Sequence, residues 1–182
     1  MALLLFRKLI RCAGFFALTA AAATVPRFSL EDLVSRSEII AQAQVVNSWP
    51  AWDAQHKYIW THYQMRVTDS IRGGEQTLVV SEPGGSLDGV SQAFSGMNAW
   101  TPGENVVLFL HHVPNGYLRV TGGEQGDARI GSDGRVRLSA AGVVRSTSAG
   151  TDLRHLSGMS LDSFKARVRS TAAMHPAMKV TQ

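Results

Sequence analysis

The sequence predicts a mainly β protein: an antiparallel barrel or sandwich of about five to eight short strands, with one short helix before it and another after it. Short runs that alternate apolar and polar residues, or that are rich in β-branched residues, recur along the chain. Turn signals rich in Gly and Pro separate these runs, notably at 101–103 and 114–116. Strand patterns do not alternate with helical patterns, so a parallel sheet is excluded.

The strongest apolar run beyond the first 23 residues lies between those two turns, at 106–110. It reads Val-Val-Leu-Phe-Leu, which is rich in β-branched and aromatic residues. Its length and its flanking turns favour a strand buried on both faces over a short helix. The other predicted strands are shorter or more polar, and we expect them to be arranged around this one.

Residues 1–23 are predicted to be a secretory signal peptide rather than part of the fold. Three basic residues precede an apolar segment at 13–18, and Ala21 and Ala23 provide an Ala-x-Ala cleavage site. The apolar segment is shorter than the roughly 20 residues that a membrane-spanning helix needs. Retention of the segment as an uncleaved anchor is the alternative. The sequence therefore predicts a secreted or periplasmic protein that leaves the membrane after cleavage.

Composition narrows the chemistry of the mature chain. The only cysteine, Cys12, lies inside the leader and ahead of its apolar segment, a position that does not fit lipid attachment. The exported chain of about 159 residues is therefore expected to have no disulfide, no thiolate nucleophile and no thiolate metal site. Loss of three basic and no acidic residues lowers the net charge from +4 to about +1. No clustered basic face for nucleic acid is predicted.

The predicted elements begin with a short helix at 29–37. Ser29 can cap this helix, and Leu30, Leu33 and Val34 share one of its faces. Strands are then predicted at 39–46, 58–67, 77–81, 106–110, 117–121, 128–130 and 136–138, with a weaker extended segment at 90–97. The strand at 117–121 is the expected hairpin partner of the central strand.

The predicted organisation has five parts. They are a signal peptide at 1–23, a β-barrel domain at 24–139, a flexible linker at 140–159, a C-terminal helix at 160–171 and a frayed tail at 172–182. Ser, Thr, Gly and Ala dominate the linker. The C-terminal helix carries Leu161, Phe164 and Val168 on one face, and we expect this face to dock on the barrel rather than on a membrane.

No catalytic signature is present, and no cofactor is predicted. Metalloprotease, nucleophile-elbow, phosphate-loop and dinucleotide motifs are all missing from the sequence. His62, His111 and His112 are the candidate zinc ligands, and with a glutamate they would support a metal-dependent hydrolase. Adjacent residues of a strand face opposite sides, however, so His111 and His112 do not easily serve one site. The alternative is that all three histidines are partly solvated residues at strand ends.

Tryptophans provide the candidate binding residues. Trp49 and Trp52 lie in a segment, 49–53, that contains a proline and is predicted to be a loop between strands. Aromatic side chains exposed on a loop are favoured anchors for a protein partner or a sugar. The alternative is a loop folded over the barrel mouth with both rings buried. Trp60 is expected to pack across a strand pair, and Trp100 to close one end of the barrel.

The layout resembles a known group of proteins. Matching segments lie at 37–45, 61–67, 71–73, 83–85, 102–110 and 125–126, and they include Ile-Arg-Gly and Pro-Gly-Gly turns. Together they resemble small exported bacterial proteins of unassigned function. The order of elements in that group is similar to the netrin-like modules, the OB-fold barrels found in tissue inhibitors of metalloproteinases.

The resemblance implies an OB-like barrel with a binding role outside the cytoplasm. The metalloproteinase inhibitors bind the catalytic zinc through an N-terminal cysteine and are held by disulfides, and neither feature carries over to a cysteine-free mature chain. We therefore predict an exported non-enzymatic binding module that binds or modulates a co-exported protein such as a protease. The partner is a protein or a polysaccharide, and not a nucleic acid. A His-based hydrolase and a structural component of the cell envelope are the alternatives.

Overall fold

The computed structural model describes residues 27–139 and 150–178. The predicted signal peptide at 1–23, the first half of the predicted linker at 140–149 and the last four residues of the predicted tail lie outside the described residues. Within the described part, no helix has the length and apolar character required to cross a membrane.

The described residues form nine strands and two α-helices, which confirms the prediction of a mainly β protein with a helix on each side of the strands. The elements are α1 (Leu30–Ser35), β1 (Ile39–Trp52), β2 (Ile59–Arg72), β3 (Thr77–Pro83), β4 (Gly85–Leu87), β5 (Val90–Gln92), β6 (Asn105–His112), β7 (Leu118–Val120), β8 (Asp127–Ile130), β9 (Val136–Leu138) and α2 (Leu161–Met174). Two short 3-10 turns lie at Gly123–Gly126 and Leu153–His155.

Five of the strands close into a ring. The main sheet has the order β1-β2-β3-β7-β6-β8-β9, and an additional pairing of β1 with β6 joins its first strand to its fifth. The strands β8 and β9 extend the sheet beyond β6, and β4 and β5 form a separate hairpin. One pairing departs from the antiparallel prediction: β3 and β7 run parallel and are joined at a single residue pair, Val80 and Leu118.

The prediction that residues 106–110 form a strand buried on both faces is confirmed. All five residues are buried within β6. Leu108 and Leu110 belong to the cluster inside the ring, together with Tyr63 and Met65 of β2. Val107 and Phe109 belong to a second cluster that lies between the sheet and the two helices. This strand therefore connects the two halves of the core.

The first two strands are longer than the sequence pattern predicts. Residues 49–53 were expected to end β1 as a loop, and this prediction is wrong, because β1 continues through Pro50 to Trp52 and pairs with β2 along its length. Asp53 N donates a hydrogen bond of 2.8 Å to Tyr58 O. This bond fixes which residues of β1 turn their main-chain groups toward β2, since every second residue of an antiparallel strand does so. In that register the nitrogen of Pro50 faces away from β2. A proline there removes no ladder hydrogen bond, so the strand tolerates it.

Helix α2 docks on the sheet as predicted, through Phe164 and Val168, which are fully buried beside Leu30 and Leu33 of α1. Ser160 caps it, since its hydroxyl accepts a hydrogen bond from Ser163 N. The helix extends beyond the predicted end.

The boundaries after residue 150 differ from the prediction. Leu153 and Leu156 are buried in the cluster beneath the helices, so the second half of the predicted linker packs as part of the domain. The first residues of the predicted tail are helical, and Arg72 of β2 donates a hydrogen bond of 2.9 Å to Ala172 O. Composition alone missed these contacts because a few apolar side chains in a Ser- and Gly-rich segment are enough to anchor it.

Candidate functional site

Four aromatic rings and one arginine form a continuous chain of contacts on the outside of the ring. Trp49 lies 5.6 Å from His62, measured between ring centroids, and His62 lies 5.4 Å from Tyr117. Tyr117 in turn lies 4.8 Å from Trp60, and the guanidinium carbon of Arg119 lies 5.5 Å from the centre of the Trp60 ring. We call these five residues the aromatic surface.

Strand geometry explains why these residues meet. Trp60 and His62 are two positions apart in β2, so their side chains point to the same face, away from the buried core. The register of β1 and β2 pairs Trp49 directly with His62. Tyr117 and Arg119 are also two positions apart, at the start of β7. Three separate parts of the sequence thus contribute to one surface.

The ring of His62 is held in place by a residue of the neighbouring strand β3. Its Nδ1 atom lies 2.8 Å from the hydroxyl oxygen of Ser81 in β3. Ser81 is only 2% exposed. Burial lowers the pKa of His62, so the ring is neutral at neutral pH. The contact with Ser81 therefore fixes the orientation of the His62 ring.

The two tryptophans of the predicted binding loop lie on β1 and not in a loop. Trp49 is 39% exposed and belongs to the aromatic surface. Trp52 is three positions further along the strand, and side chains three apart point to opposite faces. Its indole nitrogen donates a hydrogen bond of 3.2 Å to Asp88, and its ring stacks on His56 at 5.7 Å. The two rings therefore do not form one binding surface.

The three candidate metal-ligating histidines have three different partners. His62 contacts Ser81, His111 Nδ1 lies 3.1 Å from the Thr121 hydroxyl, and His112 Nδ1 lies 2.7 Å from Glu38. Among residues 27–139 and 150–178, no group of three or more His, Cys, Asp or Glu side chains is placed to hold a metal ion. The described geometry thus offers nothing in favour of a His-based hydrolase.

A groove of about 570 Å³ runs beside the aromatic surface, where β3 and β7 barely pair. Its floor contains the buried residues Leu78 and Leu118 and the partly buried Ile39, and its walls include His62 and Tyr117 of the aromatic surface. The volume falls within the range of known ligand sites, roughly 300–1,000 Å³. The groove and the aromatic surface are therefore continuous.

A buried ion pair supports the aromatic surface. Glu82 is 1% exposed; its carboxylate accepts hydrogen bonds from Arg119 Nη2 at 3.1 Å and from Val120 N at 3.0 Å. Burial raises the pKa of Glu82. Sequence analysis missed this residue, although Leu78, Val80 and Glu82 alternate and so share the inward face of β3. The ion pair fixes Arg119 against Trp60.

A second buried carboxylate, Asp127, lies at the start of β8. Asp127 accepts a hydrogen bond of 2.9 Å from the indole nitrogen of Trp100, and Arg129 Nε lies 3.0 Å from it. Trp100 itself is buried inside the ring against Tyr63. Burial raises the pKa of Asp127 to about 6.

This carboxylate makes the stability of the fold depend on pH. Because the pKa of Asp127 is higher in the folded state than its ordinary value of 3.8, the folded protein binds the extra proton, and stability falls as pH rises toward 6. We expect this group to make the protein about 1 kcal/mol more stable at pH 5 than at pH 7. Urea unfolding of the wild type and of Asp127→Asn at both pH values measures the effect. The same pH difference in both proteins would contradict it.

No protein-family model matches the sequence, and no curated protein matches it at a significant level. The features of the molecule that bear on its function are therefore the aromatic surface, the groove and the ion pair beneath them.

Proposed function

We propose that this chain is an exported, non-enzymatic binding module that holds a protein partner on its aromatic surface. The observation that carries the proposal is the continuous contact between Trp49, His62, Tyr117 and Trp60 on the outside of the sheet. Aromatic and arginine side chains dominate the energetically important centres of protein interfaces. Export is inferred from the basic, apolar and Ala-x-Ala pattern of residues 1–23.

We also propose that the ring is an OB-like barrel. A ring of five strands with a short parallel contact between β3 and β7 supports this. In OB folds the outer face of the second and third strands, with the adjoining loops, carries the ligand. Here that face presents Trp60 and His62 of β2. The proposed fold and the proposed binding surface are thus consistent with each other.

The charge of the surface favours a protein over a nucleic acid. Arg119 is the one cation in the chain of ring contacts, and it is paired with Glu82. A nucleic-acid site would present a stripe of unpaired Lys and Arg. The resemblance to netrin-like modules implies a binding role outside the cytoplasm, and the partner that we propose is a co-exported protein such as a protease. A polysaccharide stacked on Trp49 is the competing ligand.

The test is capture of the partner from an extracytoplasmic extract, followed by titration with the purified partner. We expect Trp49→Ala to weaken binding by about 2 kcal/mol, roughly 30-fold, because an exposed aromatic anchor is lost. Val46→Ala is the matched control, since Val46 is an exposed residue of the same strand outside the aromatic surface. Trp52→Ala is expected to bind like the wild type.

Two results would contradict the proposal. One is equal binding by Trp49→Ala and Val46→Ala, which would remove the aromatic surface as the site. The other is retention on insoluble cell-wall polysaccharide that depends on Trp49, with no captured protein. Circular dichroism of each variant shows whether the fold is retained, which we expect because the Trp49 side chain is partly solvent-exposed.

A further inference from the structure

Strand β3 has an unpaired edge in its first half. On one side it pairs with β2 from Thr77 to Pro83. On the other side its pairing with β7 is confined to Val80 and Leu118. Within the part of the chain that the structure describes, no strand pairs with Thr77 on that second side, and Val79 takes part there only through the bridge at Val80. The unpaired edge borders the groove, because both residues line it.

The alternation of the β2–β3 ladder directs main-chain groups into this groove. Val67 N donates a hydrogen bond of 2.8 Å to Gln76 O, so the next residue of β3, Thr77, has its N–H and C=O turned away from β2. The groups of Val79 point the same way for the same reason. The parallel bridge between Val80 and Leu118 uses the C=O of Val79, so its N–H is the group left facing the groove. A row of main-chain donors and acceptors at a strand edge is a template for one more strand.

The groove has the shape and lining that an extended chain requires. Its apolar floor is formed by Ile39, Leu78 and Leu118, which receive side chains from one face of an added strand. Gly74 and Ile39 lie close together in this lining, since a Cβ added at Gly74 would lie 3.1 Å from Ile39 Cγ2. The His62 and Tyr117 rings of the aromatic surface line it as well.

The charge of the groove indicates which peptides fit. Glu75 lines it, is exposed, and makes no hydrogen bond or ion pair with any described residue. The other acidic or basic lining residues are His62, which burial keeps neutral, and His112, which is paired with Glu38. Arg66, opposite Thr77 in β2, is directed toward Gln44 of β1 and away from the groove. The groove thus offers one free negative charge.

We propose that this groove binds an extended segment of the protein partner as an added strand on the edge of β3, with a basic side chain of that segment on Glu75. The proposal rests on the proposed function and specifies the form of the partner. Main-chain hydrogen bonds to the N–H and C=O of Thr77 and to the N–H of Val79 hold the segment, and apolar side chains at alternate positions enter the floor. The segment continues onto the aromatic surface, which the groove adjoins.

The first test uses a displayed library of random heptapeptides selected on the purified full chain. We expect the selected peptides to alternate apolar residues with others and to carry Lys or Arg. Methylation of one main-chain nitrogen that faces β3 is expected to weaken binding at least 10-fold, because it removes a donor and adds bulk at the strand edge. Hydrogen exchange at the amide of Thr77 is expected to slow at least 10-fold when peptide binds.

Variants of the groove provide the second test. Thr77→Pro removes the N–H that faces the groove without removing a bond to β2, and Thr77→Ala is its matched control. Glu75→Gln is expected to weaken binding of the basic peptides about 5-fold and to make that binding less dependent on salt. Asp162→Asn, a change at an exposed position of α2, is the control and is expected to have no effect. Circular dichroism checks folding. If Thr77→Pro does not fold, the proposal is tested on the wild-type protein instead, through the methylated peptides and the exchange rate of the Thr77 amide.

The outcomes separate this proposal from the one on which it rests. Peptides that bind and protect only residues around Trp49, with Thr77 exchange unchanged, would overturn strand addition and leave the aromatic surface as a binding site. If no peptide is enriched while partner capture still depends on Trp49, strand addition is likewise overturned and the aromatic surface remains a binding site. A dimer in sedimentation that Thr77→Pro dissociates would assign the groove to a second copy and overturn the proposal.

Discussion

Phe109→Ala is expected to lower the free energy of unfolding by about 3–5 kcal/mol, which would be among the largest effects of any single substitution in the chain. Phe109 is fully buried in β6 and contacts the cluster beneath the two helices. Its removal leaves a cavity that the surrounding strands and helices fill only in part, so packing is lost in addition to the transfer free energy of the ring. Urea unfolding followed by circular dichroism measures the loss.

Val46→Ala is the control for this substitution. Val46 is 49% exposed on β1, so its truncation is expected to cost less than about 1 kcal/mol. The ratio between the two losses is the informative quantity, because both variants shorten a side chain in a strand. A loss below about 1 kcal/mol for Phe109→Ala would show that β6 is not the strand that connects the two halves of the core.

Arg119→Met is expected to destabilise the protein by about 3 kcal/mol at pH 7. Methionine keeps the apolar length of the side chain but leaves the Glu82 carboxylate buried with only Val120 N as its hydrogen-bond donor. An uncompensated buried charge is far more costly than the loss of an exposed ion pair. The loss is expected to shrink at lower pH, since the pKa of Glu82 is already raised by burial and protonation then removes the charge.

Two further variants identify the cause of the loss of stability in Arg119→Met. Replacing both partners, in Arg119→Met with Glu82→Met, is expected to restore most of the stability, because no charge is then left buried. Arg154→Met removes an exposed ion pair with Asp152 and is expected to leave stability unchanged. Urea unfolding at pH 5 and pH 7 separates these cases. A deficit in Arg119→Met that does not change with pH would show that lost packing against Trp60, and not the charge of Glu82, is responsible.

Arg119 also links stability to the proposed function. It contacts Glu82 in the interior and the Trp60 ring on the outside of the sheet. We therefore expect Arg119→Met to weaken partner binding even under conditions where the protein is folded. Partner titration at a pH where the variant is fully folded separates the two roles. The aromatic surface is thus held by the core, which keeps its rings in fixed positions before any partner binds.

Local patterns were sufficient where the physical cause is local. The caps of both helices follow from Ser29 and Ser160, because a cap depends on residues three positions away. The central strand followed from a run of apolar residues between two turns, and its burial on both faces is confirmed by the structure. The mainly β character has the same origin: apolar alternation is a property of neighbouring residues.

The candidate binding residues show where local patterns failed. The sequence pattern predicts one loop for Trp49 and Trp52 because Pro50 lies between them, whereas the structure puts them on opposite faces of a strand. What allows this is the register with β2, which turns the proline nitrogen toward a free edge. A register is a property of two strands, and the pattern of one strand does not contain it.

Residue patterns along the chain predict its mainly β character, the position of its central strand and the starts of its helices. The contacts between distant residues are visible only in the folded protein: Trp49 meets His62, Tyr117 meets Trp60, and Arg119 meets Glu82. This difference follows from the range over which each interaction acts. Propensity, capping and alternation act between residues close in sequence, whereas a surface or a buried ion pair is fixed by strand pairing between residues far apart in the chain.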